Sequence, residues 1–206
     1  MKRFFDITIA LIALLLLSPI FVLVAYKVKK NLGSPIFFYQ KRPGKDCKQF
    51  RMIKFRSMKD AFDKDGQPLP DDQRITPFGK KLRSTSLDEM PQLINVLKGD
   101  MSIVGPRPQL SEFVEHYTPH QLRRHNVKPG MTGLAQVSGR NNLSWEEKFD
   151  LDVEYVEKQS ILLDFKIMFK TVEVMLKKEG IDSPDQAVGA SRFSGTESTD
   201  TKSTNR

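Results

Sequence analysis

A run of twenty uncharged residues near the amino terminus constrains this chain more than any other feature. Residues 7–26 read ITIALIALLLLSPIFVLVAY. A straight helix needs ~20 apolar residues to cross a hydrocarbon core of ~30 Å, so the run is just long enough to span a membrane. Ser18 and Pro19 interrupt it, and proline removes a backbone donor and kinks a helix. A bend there would leave two arms too short to reach the far leaflet, and the serine can hydrogen-bond a carbonyl that the proline frees.

Both flanks of this run are basic. Lys2 and Arg3 precede it, and Lys27, Lys29 and Lys30 follow it. The positive-inside rule places such flanks in the cytoplasm, so a simple span would have to export one basic end. The pattern therefore favours a re-entrant helix-break-helix that enters and leaves through one leaflet. A bent true span is the alternative, because a signal peptide would need a cleavage site that is missing, and a soluble core rarely holds such a run.

Composition indicates an anionic partner and a simple domain organisation. The 206 residues carry a formal net charge of +8, which suits nucleic acid, acidic lipid or a phosphorylated substrate. Cys47 is the only cysteine, so an intrachain disulfide is excluded. We expect a membrane helix over residues 1–30, one domain over residues 31–182, and a disordered tail rich in Ser, Thr, Gly and Asp over residues 183–206.

The pattern between these limits predicts an α+β domain with a β-hairpin, short strands and several amphipathic helices. Residues 36–40 and 50–58 are β-prone runs on either side of the turn signal RPGK. Capping boxes predict helix starts at Ser86 with Glu89 and at Ser144 with Glu147. A basic amphipathic helix near residues 161–180 suits a membrane interface, and docking onto the domain core is the alternative.

Two adjacent carboxylates at one of these helix starts are the best candidates for chemistry. Asp88 and Glu89 can both project toward a group at the helix end, where the amide dipoles favour their ionised forms. An ionised aspartate is a competent nucleophile toward phosphorus. A divalent cation such as Mg²⁺ would remove its repulsion from a diphosphate. Acidic residues at a helix start are also common caps, and their spacing does not separate the two interpretations.

Basic residues elsewhere in the chain could complete a diphosphate site. The two prolines of GPRP fix the backbone around Arg107, and a guanidinium group can bind phosphate with two hydrogen bonds. The cations predicted to converge on a diphosphate are Lys54, Arg56, Arg83, Arg107 and Arg140. Taken singly, each is more typical of a solvated surface charge. Their occurrence in one chain with a membrane anchor and an acidic pair favours the phosphate site.

Assembled, these segments resemble the bacterial sugar transferase family, the small monotopic phosphoglycosyl transferases. The resemblance covers about residues 1–180, and its motifs are the run with Ser18-Pro19, FYQKRPG, KFRSM, LRSTSLDEMPQLINVLKGDMSIVGPRP, VKPGMTGLAQVSGRN and SWEEKFDLDVEYV. It implies transfer of a sugar-1-phosphate from a UDP-sugar to a polyprenyl phosphate, typically undecaprenyl phosphate, with release of UMP. This would be the first membrane step of glycoconjugate synthesis.

The resemblance also implies roles for individual residues. Asp88 would be the nucleophile of a covalent phosphosugar intermediate and would hold Mg²⁺, while Glu89 would complete a dyad that helps to deprotonate the lipid phosphate. The phosphate site would be lined by Lys54, Arg83, Arg107 and Arg140. The apolar run would be a re-entrant helix bent at Ser18-Pro19, which places the active site on the cytoplasmic face of a bacterial plasma membrane.

Three rival hypotheses stay open at this point. Transfer could be direct, through a ternary complex in which Asp88 only binds metal. The positive charge could mark a membrane-tethered nucleic-acid-binding module, but no binding motif is recognisable, so nucleic acid is not expected as a partner. The chain could also be a non-catalytic scaffold for polysaccharide assembly. The sequence leaves open which sugar would be transferred and whether the chain forms a homo-oligomer.

Overall fold

The computed structural model describes residues 1–139, 143–177 and 193, which form a mixed fold of helices and small sheets. The helices are α1 (Lys2–Leu32), α2 (Asp71–Arg74), α3 (Pro77–Ser84), α4 (Gln92–Lys98), α5 (Pro119–Leu122), α6 (Leu134–Ser138), α7 (Trp145–Lys158) and α8 (Ile161–Lys177). The strands are β1 (Phe37–Pro43), β2 (Gln49–Phe55), β3 (Ser102–Val104) and β4 (Gly130–Thr132). The 3-10 turns lie at Lys45–Cys47, Leu87–Glu89, Ser111–His116 and Arg123–Asn126.

The apolar run forms one continuous helix, α1, which carries Pro19 in its interior. In the described part of the chain, α1 is the one helix long and apolar enough to cross a membrane. Pro19 cannot donate to the carbonyl of Leu15, and the Ser18 hydroxyl donates to that carbonyl instead at 2.8 Å. The predicted compensation by serine is therefore confirmed, whereas the predicted division of the run into two helices is not.

The predicted β-hairpin is confirmed. Strands β1 and β2 pair antiparallel from Phe37↔Phe55 to Pro43↔Gln49. Because side chains alternate along a strand, the pairing of Gln40 with Met52 puts Arg42, Met52 and Lys54 on one face of the hairpin. This register brings a cation from each strand to the same surface.

The segment that carries the acidic pair differs from the prediction. Ser86 has a left-handed backbone (φ 55°) and makes no capping hydrogen bond, so the expected Ser86–Glu89 capping box is wrong. A 3-10 turn, Leu87–Glu89, stands there, and α4 begins only after Pro91. The turn frees the Glu89 side chain for long-range partners. The other predicted box, at the start of α7, is confirmed.

Close backbone contact joins the GPRP loop to the first residue of β4. Strands β3 and β4 pair in parallel, and a Cβ atom on Gly130 would lie 2.1 Å from the backbone nitrogen of Gly105. A side chain at either glycine would push the GPRP loop away from β4. Gly105 is the first residue of GPRP, so this contact helps to fix the position of Arg107.

Helix α1 contributes to two apolar clusters of the domain along its length. Ala10, near one end, packs in a cluster that includes Val96 of α4 and Ile167 of α8. Val28, near the other end, packs in a second cluster with Phe55 of β2. The apolar helix is therefore docked on the domain at both ends rather than projecting from it.

A third, aromatic cluster lies away from α1. Its members are Phe113, Tyr117, Trp145, Phe149 and Phe193. Phe193 falls within the tail that the composition predicts to be disordered, yet its side chain is buried in this cluster. The other residues of the predicted tail from residue 183 onward lie outside the described part of the chain.

Candidate active site

Glu89 is the centre of an ion cluster that joins three separate segments of the chain. Lys54 at the end of β2 donates to one of its oxygens at 2.8 Å. Arg107 of the GPRP loop donates to both oxygens, at 3.1 and 2.5 Å. Burial alone would raise the pKa of Glu89, but the charges and hydrogen bonds of Arg107 and Lys54 hold it well below its ordinary value. The glutamate is therefore ionised at neutral pH and fully engaged.

Asp88 lies next to this cluster but differs from Glu89 in its hydrogen bonding and in its pKa. Its side chain is buried, with 6% of its surface exposed, and no residue of the described chain donates a hydrogen bond to its carboxyl group. Burial and the charge of Glu89 raise the pKa of Asp88 to about 6, against the attraction of Lys54 and Arg83. At neutral pH the carboxyl is mostly ionised and more basic than an ordinary aspartate, and no described residue occupies its oxygens.

Arg83 supports the same site from α3. Its Nε donates to the Ser57 hydroxyl at 2.9 Å, and its charge acts on Asp88. The structure therefore brings Lys54, Arg83 and Arg107 together around the acidic pair, as predicted. Arg140, the remaining loop cation of the predicted set, lies outside the described residues.

Arg56 makes contacts that differ from those of the other predicted cations. Its guanidinium group is buried and donates to the carbonyls of Leu32, Pro35 and Met58. It also pairs with Asp60 at 3.4 Å. These contacts fix the carboxyl end of α1 against the domain, so they favour a structural role, and we leave Arg56 out of the proposed phosphate site.

Two polar residues that the sequence pattern does not single out also face the site. Arg42 and Gln92 line a small cavity of about 60 Å³ together with Lys54, Arg107 and Gln109. Burial and the nearby charge of Arg107 lower the pKa of Arg42 to about 10, which still leaves it charged. The hairpin alternation could have indicated Arg42, since it shares a face with Lys54.

A second ion cluster lies behind the GPRP loop and is completely buried. Arg124 donates to Asp152 at 3.1 and 2.7 Å and to the Tyr117 hydroxyl at 3.1 Å. Arg124 also donates a hydrogen bond of 2.7 Å to the backbone carbonyl of Arg107. Arg124 therefore holds the backbone of the same residue whose side chain binds Glu89.

The arrangement suits chemistry on a phosphorylated substrate. Four cations, Lys54, Arg83, Arg107 and Arg42, surround two carboxylates, which leaves a positive surplus for an anion. The described residues contain no group of three or more His, Cys, Asp or Glu side chains that could hold a metal by themselves. A divalent cation would therefore need ligands from a substrate in addition to Asp88.

Comparisons with known proteins show which family the chain resembles over most of its length. The family model described as "Bacterial sugar transferase" matches residues 1–178. The uncharacterized sugar transferase EpsL of Bacillus subtilis (strain 168) is 50% identical over 95% of this chain and 96% of its own length. The undecaprenyl-phosphate galactose phosphotransferase of Salmonella typhimurium is 40% identical over 87% of this chain and 41% of its own length. The UDP-glucose:undecaprenyl-phosphate glucose-1-phosphate transferase of Klebsiella pneumoniae is 44% identical, over 83% of this chain and 39% of its own length.

Proposed function

The chain belongs to the bacterial sugar transferase family, and from this membership we propose that it transfers a sugar-1-phosphate from a UDP-sugar to undecaprenyl phosphate and releases UMP. The names of two relatives include undecaprenyl phosphate, and one of these names also includes UDP-glucose. The observation that carries the proposal is the buried Asp88 carboxyl, which accepts no hydrogen bond from the described chain although it lies beside a cationic cluster.

The proposed reaction has two displacements at one phosphorus atom. An Asp88 oxygen attacks the phosphorus that carries the sugar, and the bond to the bridging oxygen breaks so that UMP leaves with the electron pair. The product is a phosphosugar covalently bound to Asp88. An oxygen of undecaprenyl phosphate then attacks the same phosphorus, the bond to Asp88 breaks, and the carboxylate is regenerated. Each substrate can therefore bind in turn, without both anions occupying the site together.

The neighbouring residues would position and neutralise the phosphates. Lys54, Arg83 and Arg107 are preorganised donors for charge that develops on the phosphoryl oxygens. The two ion pairs of Glu89 make it a weak base, because abstracting a proton would require breaking them. We therefore propose that Glu89 holds Lys54 and Arg107 in place, in preference to the predicted deprotonation of the lipid phosphate.

Mg²⁺ fits this site as a proposed cofactor. Asp88 has carboxyl oxygens that no described residue engages, and Mg²⁺ is commonly bound by one or two carboxylates together with substrate phosphates. Bound there, Mg²⁺ would reduce the repulsion between the aspartate and the diphosphate. Glu89 is less suited as a ligand because both its oxygens already accept hydrogen bonds.

The docking of α1 supports the proposed re-entrant topology. At the amino end, Arg3 donates to the carbonyl of Leu97 at 2.7 Å and Asp6 accepts from the Ser102 hydroxyl at 2.8 Å. At the carboxyl end, Arg56 donates to the carbonyl of Leu32 at 2.7 Å. A helix of this length is ~45 Å long at ~1.5 Å per residue. Since one domain binds both of its ends, we propose that both ends lie at the cytoplasmic leaflet.

Exposed apolar side chains on α1 and α8 would form the contact with lipid. On α1 they include Leu11, Leu15, Leu16, Val22 and Leu23. On α8 they include Leu162, Phe165, Phe169, Val172 and Leu176. The rings of Phe5 and Phe165 join the two helices, with centroids 4.8 Å apart. We propose that this continuous apolar surface lies in the membrane and presents the site to a lipid-bound acceptor.

An assay of UMP release tests the proposed function. The purified chain would be incubated with Mg²⁺, undecaprenyl phosphate and each member of a panel of UDP-sugars. We expect UMP and a lipid-linked sugar diphosphate from at least one donor. When undecaprenol replaces undecaprenyl phosphate, we expect at most one UMP released per enzyme molecule. Absence of UMP with every donor, from folded protein in native-like lipid, would contradict the proposal.

Cysteine accessibility tests the topology. In a Cys47→Ser background, one cysteine is added before Met1 and another is introduced as Lys30→Cys. Both should be protected from an impermeant maleimide applied to intact cells, and both should react after permeabilisation. Labelling of the amino-terminal cysteine in intact cells would show that α1 crosses the membrane.

A further inference from the structure

Asn95 is a completely buried polar residue of α4, and the proposed reaction assigns it no role. None of its surface is exposed. Its side-chain oxygen accepts from the backbone N–H of Ile53 at 3.0 Å, and its amide nitrogen donates to the backbone carbonyl of Arg51 at 2.8 Å. The same nitrogen also donates to Asp100 at 3.2 Å. Both polar atoms of the amide therefore have partners, and two of the three partners belong to the backbone of β2.

These two backbone groups lie on the edge of β2 that faces away from β1. In an antiparallel pair, residues whose backbone groups bond the partner strand alternate with residues whose groups point outward. The N–H of Arg56 bonds to the carbonyl of Ile36, just beyond the paired strands. In the same register, the backbone groups of Arg51 and Ile53 point outward. A carboxamide has the donor and the acceptor of a peptide group, so the Asn95 side chain takes the place of a third strand at this edge.

The contact joins the two segments whose side chains form the Lys54–Glu89 ion pair. Lys54 directly follows Ile53 on β2, and α4, which carries Asn95, begins three residues after Glu89. The ammonium nitrogen of Lys54 lies 2.8 Å from a Glu89 oxygen. Because a lysine head group is carried on a flexible stem, its position depends on where its backbone is held. Asn95 holds that backbone against the helix that follows the acidic pair.

From these contacts we propose that Asn95 is a positioning residue, which holds β2 against α4 so that Lys54 stays beside Asp88 and Glu89. Its effect on rate rests on the proposed function, in which Lys54 donates to phosphoryl oxygens. A preorganised donor loses its effect when it moves, and a misplacement of ~1 Å can cost ~100-fold in rate. Since Asn95 has no exposed surface, it does not touch a substrate. Its substitution should therefore affect turnover only while Lys54 is present.

A double-mutant cycle tests whether Asn95 acts through Lys54. The kcat/KM for UMP release is measured for Asn95→Leu, Lys54→Met and the double variant. We expect Lys54→Met to lower it ~100-fold and Asn95→Leu ~30-fold, because the first removes the donor and the second displaces it. The double variant should lie within ~2-fold of Lys54→Met, since two residues that act as one unit are not additive. Losses that multiply in the double variant would overturn the inference.

A second variant and a matched control separate positioning from loss of stability. Asn95→Ser also removes both bonds to β2 but leaves room for water, so it keeps the cycle valid if Asn95→Leu folds poorly. Thr171→Val is the control, because it removes a hydroxyl that bonds Thr132 of β4 at 2.7 Å, away from β2. This control should lower the melting temperature, and its effect on kcat/KM should be small and the same with or without Lys54.

Competitive acetylation gives a readout that does not depend on turnover. The Lys54 side chain is 19% exposed and paired with Glu89, whereas Lys48 is exposed in the same hairpin. Folded protein is labelled with a trace of acetic anhydride, and the two lysines are compared by peptide mass spectrometry. The ratio of Lys54 to Lys48 labelling should rise several-fold in Asn95→Leu and stay at the wild-type value in Thr171→Val.

The outcomes separate this inference from the proposed function. Unchanged Lys54 labelling in both Asn95 variants, in a protein that releases UMP, would overturn the inference and leave the function intact. A rise in Lys54 labelling in a protein that releases no UMP with any donor would support the positioning contact and contradict the function. A rise in labelling together with a double variant no slower than Lys54→Met would support both.

Discussion

Two ion clusters lie on opposite sides of the GPRP loop, and they are built in opposite ways. In the rear cluster, Arg124 and Asp152 have 1% and 5% of their side-chain surface exposed, and Arg124 has a partner at each of its nitrogens. In the front cluster, Arg107 is 41% exposed and Glu89 19% exposed, and Asp88 beside them accepts no hydrogen bond from the described chain. Arg107 belongs to both clusters: its backbone carbonyl accepts from Arg124 in the rear cluster, and its guanidinium group donates to Glu89 in the front cluster.

This difference shows how the contacts within a charged cluster indicate whether the cluster stabilises the fold or binds a ligand. A buried cluster whose charges already pair with each other has little capacity for a ligand, and removing one partner leaves an uncompensated charge. An open cluster with an unengaged carboxyl and surplus cations costs stability until a ligand arrives. We therefore expect substitutions in the front cluster mainly to lower turnover, and substitutions in the rear cluster mainly to lower the free energy of unfolding.

The largest expected effect is the loss of turnover in Asp88→Asn. Asparagine keeps the shape of the side chain but cannot act as a nucleophile toward phosphorus, so we expect UMP release to fall at least ~1,000-fold, or about 4 kcal/mol of activation free energy. Asp71→Asn, at an exposed position of α2, is the matched control and should retain wild-type turnover. Substantial turnover in Asp88→Asn would remove Asp88 from the chemistry.

The next largest effect is the loss of stability in Arg124→Gln, a substitution in the rear cluster. This change leaves Asp152 buried without its cation, and breaking such a pair typically costs ~3–5 kcal/mol. The melting temperature in detergent should fall by many degrees, while the protein that remains folded at low temperature keeps much of its turnover. The neighbouring Arg123 provides the control, because its pair with Glu157 is about half exposed, and Arg123→Gln should change the melting temperature little. Equal melting temperatures of the two variants would remove the distinction between the clusters.

A smaller effect should follow from Glu89→Gln in front. A neutral amide no longer attracts Lys54 and Arg107, so both lose their fixed positions, and we expect kcat/KM to fall ~100-fold, or about 2.7 kcal/mol. Stability should change by less than in Arg124→Gln because the cluster is open to water. If Glu89 acted instead as a base toward the acceptor, the second displacement alone would slow and the covalent intermediate would accumulate.

The smallest effect is on stability and depends on pH. The pKa of Asp88 in the folded protein, about 6, lies above that of an unfolded aspartate. Ionising Asp88 therefore costs folding free energy above pH 6, and this cost disappears as pH falls toward 4. Asp88→Asn should melt at a higher temperature than wild type at pH 7.5, by an amount equivalent to about 1–3 kcal/mol, and at the same temperature near pH 4. These melts are compared in EDTA, and Asp71→Asn should show no such trend.

Local sequence patterns predict much of this fold because their causes are local. The β1–β2 hairpin follows from alternation around RPGK, and the start of α7 follows from the Ser144 capping box. The compensation of Pro19 by Ser18 is equally local. The sequence also predicts that Lys54, Arg83 and Arg107 lie near the acidic pair, because the family resemblance groups them.

Long-range competition explains what the sequence does not predict. Glu89 does not cap a helix because two cations from distant segments bind it, and Ser86 adopts a left-handed backbone in that turn. Arg56 binds the carboxyl end of α1 rather than the site, a contact that no spacing in the chain indicates.

The most direct test of the central claim is the mass of the protein after reaction with the donor alone. Wild-type protein is mixed with Mg²⁺ and a UDP-sugar that supports turnover, without undecaprenyl phosphate, and the intact mass and the Asp88-containing peptide are measured. The account predicts one added sugar phosphate on Asp88, absent in Asp88→Asn and discharged by undecaprenyl phosphate. An unmodified protein that releases UMP only when both substrates are present would contradict it.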